Sequence, residues 1–271
     1  MTRSVENAQV PNQPSAFAAL KTQFTVIRAL TIHGLQGLMK TYNYGFAWAL
    51  LEPIMFIAVM RVVRSAFKGL TPPNMPPTTF LIVGIVPYYM FMNAMGSTSK
   101  AVSQTDSMLS FPRVTPIDVA IASALGDFCI YFTLYLFFLV PVSFYDGVFP
   151  PQNALEVFSV FCVLWVLGVS IGFVTGTAAR VFPPIKQFVS YTNIINRMAG
   201  GMLFVITMFP SEYWPYFTWN PVLHCLEMVR DGWFVTYTSP VADPMYVFEC
   251  ILGFLLLGLS LERYQRRMPY V

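Results

Sequence analysis

The segment NPVLHCLEMVRDGWF, residues 220–234, holds the densest group of chemically capable side chains in the sequence. A histidine and two carboxylates on one helix face are the residue types needed to hold a metal ion or to move a proton. The spacings of three and four would bring one such face together, from His224, Glu227, Arg230 and Asp231. Three interpretations stay open: a catalytic or metal site, a structural or gating element, and a contact surface for a transported molecule.

The composition determines what kind of protein must position these residues. Of 271 residues, 56% are hydrophobic and only 11% are charged, which excludes an ordinary soluble domain. Several apolar runs approach the length of about 20 residues that crosses a bilayer. Spanning segments of this kind must be helical, because only a helix satisfies its own backbone groups in lipid.

We predict an all-α membrane protein with six transmembrane helices. The predicted spans are Phe46–Val63, Thr78–Met95, Val119–Phe144, Ala154–Ala179, Lys186–Phe209 and Met245–Leu261. Together they form a transmembrane domain over residues 46–261. The excess of Lys and Arg in the alternate connections places both termini in the cytoplasm.

Segments outside the spans have distinct expected roles. Residues 1–14 are polar, lack a signal-peptide pattern and are expected to be a disordered tail. Residues 15–41 carry apolar side chains at steps of three and four, with cations and no acid, which predicts an amphipathic helix on the inner membrane surface. Residues 262–271 form a cytoplasmic tail. The first outer loop holds three cations, Arg61, Arg64 and Lys68, which suit an acidic polymer or an acidic lipid headgroup.

The outer segment 210–244 is rich in aromatic residues, which favour the headgroup level of a membrane. Asn220 is a good N-cap and Pro221 a good first helical residue, so a helix is predicted from there to about Phe234. With a shorter helix over 211–217, it would form a re-entrant hairpin before the last span. The candidates for contact with a polymer or with headgroups are Tyr213, Trp214, Trp219 and Trp233. Anchoring at the lipid interface is the alternative for each aromatic residue.

Three ionisable residues fall inside the predicted spans: Glu52, Asp127 and Arg197. Such residues are costly in lipid and usually face the protein interior in pairs. We therefore expect Arg197 to pair with Asp127 or Glu52. The pair would be either a structural element or a polar wall on a substrate path or a dimer seam.

No phosphate-binding loop of the G-x-x-x-x-G-K-[ST] type occurs in the sequence, so a pump built on this chain would need a second chain as its motor. The available docking elements are the N-terminal helix and the cytoplasmic loop 97–117, read as a short helix ending near Phe111 or as a solvated loop. Candidate coupling residues are Ser103, Asp106, Met108, Leu109, Phe111 and Arg113.

The sequence has no internal repeat of the kind that ion-coupled carriers show. Cys225 and Cys250 leave a disulfide open, since both could lie near the outer face.

Two segments resemble one known family. MKTYNYGFAWALLEPIMF, residues 39–56, resembles the start of the first span in permease subunits of bacterial ABC exporters of capsular polysaccharide, through Tyr44, Gly45, Trp48, Glu52 and Pro53. Residues 220–234 resemble a second signature of these permeases, through Pro221, His224, Glu227, Arg230 and Phe234. The two motifs occur in the same order and at the same distance as in that family.

This resemblance implies a homodimer of the chain in the bacterial inner membrane, above two copies of an ATP-hydrolysing subunit that binds ATP and Mg. The chain itself would carry no catalytic residue, metal or cofactor, and would bind no nucleic acid. Its cargo would be a lipid-anchored, usually acidic polysaccharide, handed to a periplasmic adaptor and an outer-membrane channel. The path would run between the two permease copies, with the re-entrant helices beside its exit.

Two other functions stay open. An exporter of this class could instead carry lipid-linked O-antigen or teichoic acid. A membrane-embedded enzyme acting on a lipid-linked sugar would use Glu227 as a base and His224 as an acid.

Overall fold

The computed structural model describes residues 25, 28 and 31, 45–66, 72, 75–104 and 116–265. Within these ranges the chain is helical, with turns and no strand. The longer helices are α1 Gly45–Ala66, α2 Pro77–Ser103, α3 Pro116–Tyr145, α4 Ala154–Val181, α5 Ile185–Ala199, α6 Pro221–Trp233 and α7 Pro244–Gln265. Two short 3-10 helices, Ile206–Met208 and Ser211–Tyr216, connect α5 to α6.

Helix α2 is the centre of the fold. It packs against α1, α3, α4 and α6, and its residues 79–91 are all buried. The helix starts efficiently because Pro77 occupies the first helical position, where a missing N–H costs nothing. A helix enclosed by four others is apolar around its whole circumference, which explains the long unbroken hydrophobic run in this part of the sequence.

A stripe of glycines lets α4 approach α2 closely. A β-carbon added at Gly168, Gly172 or Gly176 would lie 2.8, 2.5 or 2.7 Å from the backbone carbonyl oxygen of Phe91, Met95 or Ser99. No side chain fits at such distances, so each glycine permits a backbone contact that another residue would prevent. Small residues at four-residue spacing are the usual means of close helix packing in membranes.

Four helices of the described chain are long and apolar enough to cross a membrane: α2, α3, α4 and α7. They correspond to the second, third, fourth and sixth predicted spans, and α7 continues to Gln265, past the predicted end at Leu261. Helix α1, at the first predicted span, has 22 residues and extends to Ala66, beyond the predicted end at Val63. Its length is sufficient for crossing.

The fifth predicted span, Lys186–Phe209, is not one continuous helix. Helix α5 has only 15 residues and ends at Ala199. Gly200 is the C-cap residue of α5. Gly201 has φ +76°, a left-handed conformation that other residues rarely adopt. Residues 201–205 are therefore non-helical. This break leaves backbone carbonyls that need partners, and their partners belong to the candidate site.

Several predictions fall outside the described residues. These are the tail 1–14, most of the amphipathic helix 15–41, Lys68, the loop residues 105–115 and the C-terminal residues 266–271. Residues 25, 28 and 31 are helical, and the Thr31 hydroxyl donates a hydrogen bond of 3.3 Å to the carbonyl of Ala122. That contact brings this position against the first turns of α3.

Candidate functional site

The helix predicted to begin after Asn220 is present as α6. The Asn220 side chain accepts a hydrogen bond of 3.0 Å from the N–H of Val222, and its amide donates one of 2.7 Å to the side chain of Asn196 in α5. Residues 222–230 are all buried, because α6 is enclosed by α2, α4 and α7. The charged residues of α6 therefore face protein.

Arg230 binds the non-helical backbone that follows α5. Its guanidinium donates to the carbonyl oxygens of Phe204, at 2.6 Å, and Met202, at 2.9 Å. Nη1 lies 3.6 Å from Oε1 of Glu227, and the guanidinium carbon lies 4.6 Å from the ring centre of Phe80. Burial lowers the pKa of Arg230, and the negative charge of Glu227 opposes that change. The arginine thus supplies the hydrogen bonds that a continued helix would have made.

Arg64 binds the same backbone from α1. It donates to the carbonyl oxygen of Leu203, and its guanidinium carbon lies 4.8 Å from the Phe80 ring centre. Both guanidinium groups therefore lie over the Phe80 ring, and they donate hydrogen bonds to successive carbonyl oxygens of the same segment. Gly84 makes room for Arg230, since a β-carbon there would lie 2.6 Å from its Nη2 atom. Arg64, predicted as a polymer contact in a loop, is only 9% exposed at the end of α1.

Glu227 holds the two segments that flank α6. Its Oε1 accepts a hydrogen bond of 3.1 Å from the N–H of Ile206, before α6. Its Oε2 accepts one of 2.9 Å from the hydroxyl of Ser239 and another from the hydroxyl of Tyr237, after α6. Burial, reinforced by the charge of Glu227, raises the pKa of Tyr237. Asp231 accepts from the N–H of Ser239 at 3.0 Å, so both acids hold the same turn.

His224 connects α6 to the turns on either side. Its Nε2 lies 2.7 Å from the carbonyl oxygen of Thr218, and Nδ1 accepts from the N–H of Asp243 at 3.2 Å. These partners define a neutral ring protonated at Nε2. Because both nitrogens are engaged with the backbone, neither is directed at a ligand. Within the described residues no group of three His, Cys, Asp or Glu side chains could hold a metal ion. Cys225 and Cys250 are free thiols.

The predicted ion pair of Arg197 does not form. In the part of the chain that the structure describes, Arg197 makes no ion pair with Glu52 or Asp127. Its guanidinium lies over the ring of Tyr89 instead, 5.5 Å from the ring centre. The position of a charge along the sequence predicts its depth along the helix, but it does not predict the direction in which the side chain points around the helix axis. Oδ2 of Asp127 is buried without a hydrogen-bond partner among the described residues.

Arg197 and Glu52 instead line an open groove of about 620 Å³ between α1, α2 and α5. Most of its wall belongs to α1, and apolar side chains surround the two charges. The apolar α1 residues exposed at this groove are Leu51, Met55 and Val59. Exposed apolar residues of α5 include Tyr191, Ile194, Ile195 and Met198. Two neighbouring helices thus present apolar faces that nothing in the described chain covers.

The aromatic candidates fall into two groups. Tyr213 and Trp219 are exposed, as is Tyr216, which sequence reasoning did not single out. Trp214 is half-buried and donates to the carbonyl of Phe209 at 3.0 Å. Trp233 is buried, with its ring 6.5 Å from that of Tyr135. The sequence could not distinguish the exposed from the buried aromatic residues, because exposure depends on how the short helices pack.

Two further candidates lie at helix ends. Arg61 is exposed in α1 and donates to the hydroxyl of Thr78. Ser103 is the last residue of α2, and its hydroxyl donates to the carbonyl of Lys100 at 3.1 Å. The other predicted coupling residues, Asp106, Met108, Leu109, Phe111 and Arg113, lie outside the described residues.

Known proteins similar to the chain match it along nearly its whole length. It is 24% identical over 248 residues to the polysialic acid transport protein KpsM of Escherichia coli, covering 92% of this chain and 96% of that protein. It is 24% identical over 252 residues to the capsule polysaccharide export inner-membrane protein CtrC of Neisseria meningitidis, covering 92% and 94%. It is 23% identical over 250 residues to the O-antigen export system permease protein RfbA of Klebsiella pneumoniae, covering 88% and 91%. No family model matches the chain.

These matches confirm the resemblance to inner-membrane permeases of capsular polysaccharide export that the two sequence motifs indicated. The likeness to inner-membrane proteins agrees with the apolar helices of the structure, and the chain is a multi-pass membrane protein.

Proposed function

We propose that this chain, which resembles capsule export permeases over 92% of its length, is the membrane subunit of an ATP-driven polysaccharide exporter. Its cargo is a lipid-anchored, acidic capsular polymer that crosses the bacterial inner membrane. The main support is the near full-length similarity to one protein named for polysialic acid transport and to others named for capsule export. An enzyme is disfavoured because the His224 and Glu227 side chains are engaged with backbone and neighbouring hydroxyl groups.

The path for the polymer runs between two copies of the chain. Support comes from the exposed apolar faces of α1 and α5, which flank the groove containing Glu52 and Arg197. Contiguous exposed apolar surface marks a site of interaction with protein or lipid. In a two-fold dimer the same patch meets itself, so these faces would enclose the groove. Charged and polar groups on its wall would then line the route.

The outer ends of the path would meet the exposed aromatic residues Tyr213, Tyr216 and Trp219. An aromatic ring has a flat apolar face and, in Tyr and Trp, a polar tip. Such faces suit the C–H surface of a sugar ring without gripping any single residue of a moving polymer. This arrangement assumes six spans with both termini in the cytoplasm.

Energy comes from a separate ATP-binding subunit with its Mg, present in two copies. Support for this is the absence of a phosphate-binding loop from the sequence. That subunit docks on the cytoplasmic loop 97–117 and on the amphipathic helix 15–41. A periplasmic adaptor and an outer-membrane channel receive the polymer.

Purification of the full chain from its native membranes in mild detergent tests this assembly. A soluble ATPase recovered in a one-to-one ratio with the chain is the expected result. Phe111→Asp in the coupling loop should reduce that recovery, whereas Arg263→Asp on the exposed end of α7 should not. Recovery of the chain alone, with turnover of a lipid-linked sugar, would overturn the exporter.

The relative named for O-antigen export supports a second candidate cargo, a lipid-linked O-antigen. The discriminating observation is which surface polymer disappears when the chain is absent: the capsule or the O-antigen side chains of lipopolysaccharide.

A further inference from the structure

A cavity of about 380 Å³, with a cluster of polar side chains in an otherwise apolar wall, lies between the end of α2, the last turns of α4 and the first turns of α5. These three helix ends meet at one end of the bundle, away from α6 and the arginine-bound break. Its polar lining comes from Lys100, the hydroxyl groups of Ser99, Ser103, Thr175 and Ser190, and the amides of Gln104 and Asn193. No carboxylate occurs among the described residues that line it.

The positive charge of Lys100 distinguishes this cavity from the groove between α1 and α5. Its side chain is exposed, and within the described ranges its ammonium forms no ion pair or hydrogen bond. An ammonium group binds phosphate or carboxylate as a point charge with charge-assisted hydrogen bonds. By contrast, the groove between α1 and α5 holds both Arg197 and Glu52, so a single anion would meet repulsion there.

The other groups of the cavity suit a hydroxylated ligand. Hydroxyl and amide side chains both donate and accept hydrogen bonds, as do the hydroxyl groups of glycerol and of sugars. The wall at Gly96 is open, because a β-carbon added there would meet no atom within 4 Å. The Thr175 and Ser103 hydroxyls donate to carbonyls of their own helices and keep their acceptor lone pairs toward a ligand. One cation, several hydrogen-bonding groups and free space together match a compact, anionic, hydroxyl-bearing headgroup.

We propose that this cavity binds the anionic, hydroxylated headgroup of a membrane lipid or of a lipid-linked sugar, with Lys100 binding its phosphate or carboxylate. The cytoplasmic location of the cavity rests on the orientation proposed above, whereas the binding itself does not. In an exporter so oriented, the cavity would receive the lipid-linked end of the cargo, or an anionic lipid beside it, at the face where transport starts.

Native mass spectrometry of the purified full chain, with phosphatidylglycerol and phosphatidylcholine as probes, tests the proposal. Phosphatidylglycerol is anionic and carries two hydroxyl groups, while phosphatidylcholine has neither net charge nor headgroup hydroxyls. We expect selective retention of phosphatidylglycerol. Lys100→Gln should weaken it about ten-fold, since a hydrogen bond to a charged group is lost. Gly96→Leu should abolish it by filling the cavity.

Matched controls lie on α7. Arg263→Gln removes an exposed cation, and Gly253→Leu adds a side chain where a β-carbon would also meet nothing within 4 Å. Both controls should change retention by less than about two-fold, as surface substitutions do. Equal loss in Lys100→Gln and Arg263→Gln, or no preference for phosphatidylglycerol in the parent chain, would sink the proposal.

A competition experiment with glycerol phosphate tests whether the cavity binds the headgroup without the acyl chains. Displacement of the lipid by glycerol phosphate would show that the headgroup alone suffices, and its absence would show that the acyl chains are needed. Failure here is separable from failure of the exporter. A chain that exports polymer but shows no lipid preference lacks the site, and one that shows the preference but exports nothing is not the exporter.

Discussion

Arg230 and Arg64 bind the backbone of residues 202–204, so α6, which carries Arg230, serves to hold this non-helical segment. Three successive carbonyls, at residues 202–204, receive hydrogen bonds from the two guanidinium groups. Non-helical backbone at membrane depth is tolerated only where protein satisfies it. The charged residues of α6 therefore support a broken helix.

Replacement of Arg230 by Met should destabilise the chain strongly. It would leave two buried carbonyls without donors and the Glu227 carboxylate without its cation, and breaking a buried pair costs about 3–5 kcal/mol. The melting temperature of the purified chain measures the effect. Arg263→Met, at an exposed position, is the control and should cost less than about 0.5 kcal/mol.

The double variant Glu227→Gln, Arg230→Met should recover part of this loss, because it removes the uncompensated negative charge. Equal melting temperatures for Arg230→Met and Arg263→Met would contradict the role assigned to Arg230.

His224→Phe separates a structural role from a chemical one. The ring would still pack near Tyr246, 5.0 Å away, but Thr218 and Asp243 would lose their partners. Loss of each partly buried hydrogen bond costs about 0.5–1.5 kcal/mol. Faster hydrogen exchange at the Asp243 amide, with a lower melting temperature, is the expected result. Unchanged exchange together with lost activity would instead favour chemistry at His224.

At the scale of elements, the α2–α4 contact should be intolerant of any side chain. Gly172→Ala would bring a β-carbon to 2.5 Å from the Met95 carbonyl, and overpacking of this kind costs about 1–3 kcal/mol. Gly96→Ala, on α2 with open space around it, should be neutral or stabilising, because Ala favours helix more than Gly does. Thermal melts of the two variants compare them directly. A stable Gly172→Ala chain would mean that the helices are less closely packed than described.

Local sequence signals predicted some elements well and others not at all. Asn220 and Pro221 predicted α6 because a cap and a first-turn proline act through their own neighbours. The break after Ala199 was missed, since the apolar residues around it resemble a continuous span. The pair Gly200–Gly201 was the available signal. The partners of the broken backbone could not be predicted, because Arg64 and Arg230 reach it from helices far away in sequence.

At the scale of the whole molecule, the uncovered faces of α1 and α5 predict where two copies meet. With the exposed Cys129 replaced by Ala, Ile195→Cys should be cross-linked between copies by a short bifunctional maleimide in native membranes. Phe137→Cys, equally exposed on α3, should stay monomeric. Cross-linking at Phe137 and none at Ile195 would assign the interface to another face.

The location of the polymer in cells without this chain tests the proposed function most directly. The gene is deleted in the native host, restored on a plasmid, and the capsular polymer is measured at the cell surface and in the cytoplasm. We expect loss of surface polymer with accumulation of lipid-linked polymer inside, both reversed by the parent chain. Normal surface polymer after deletion, or loss of polymer from both compartments, would contradict a role in export.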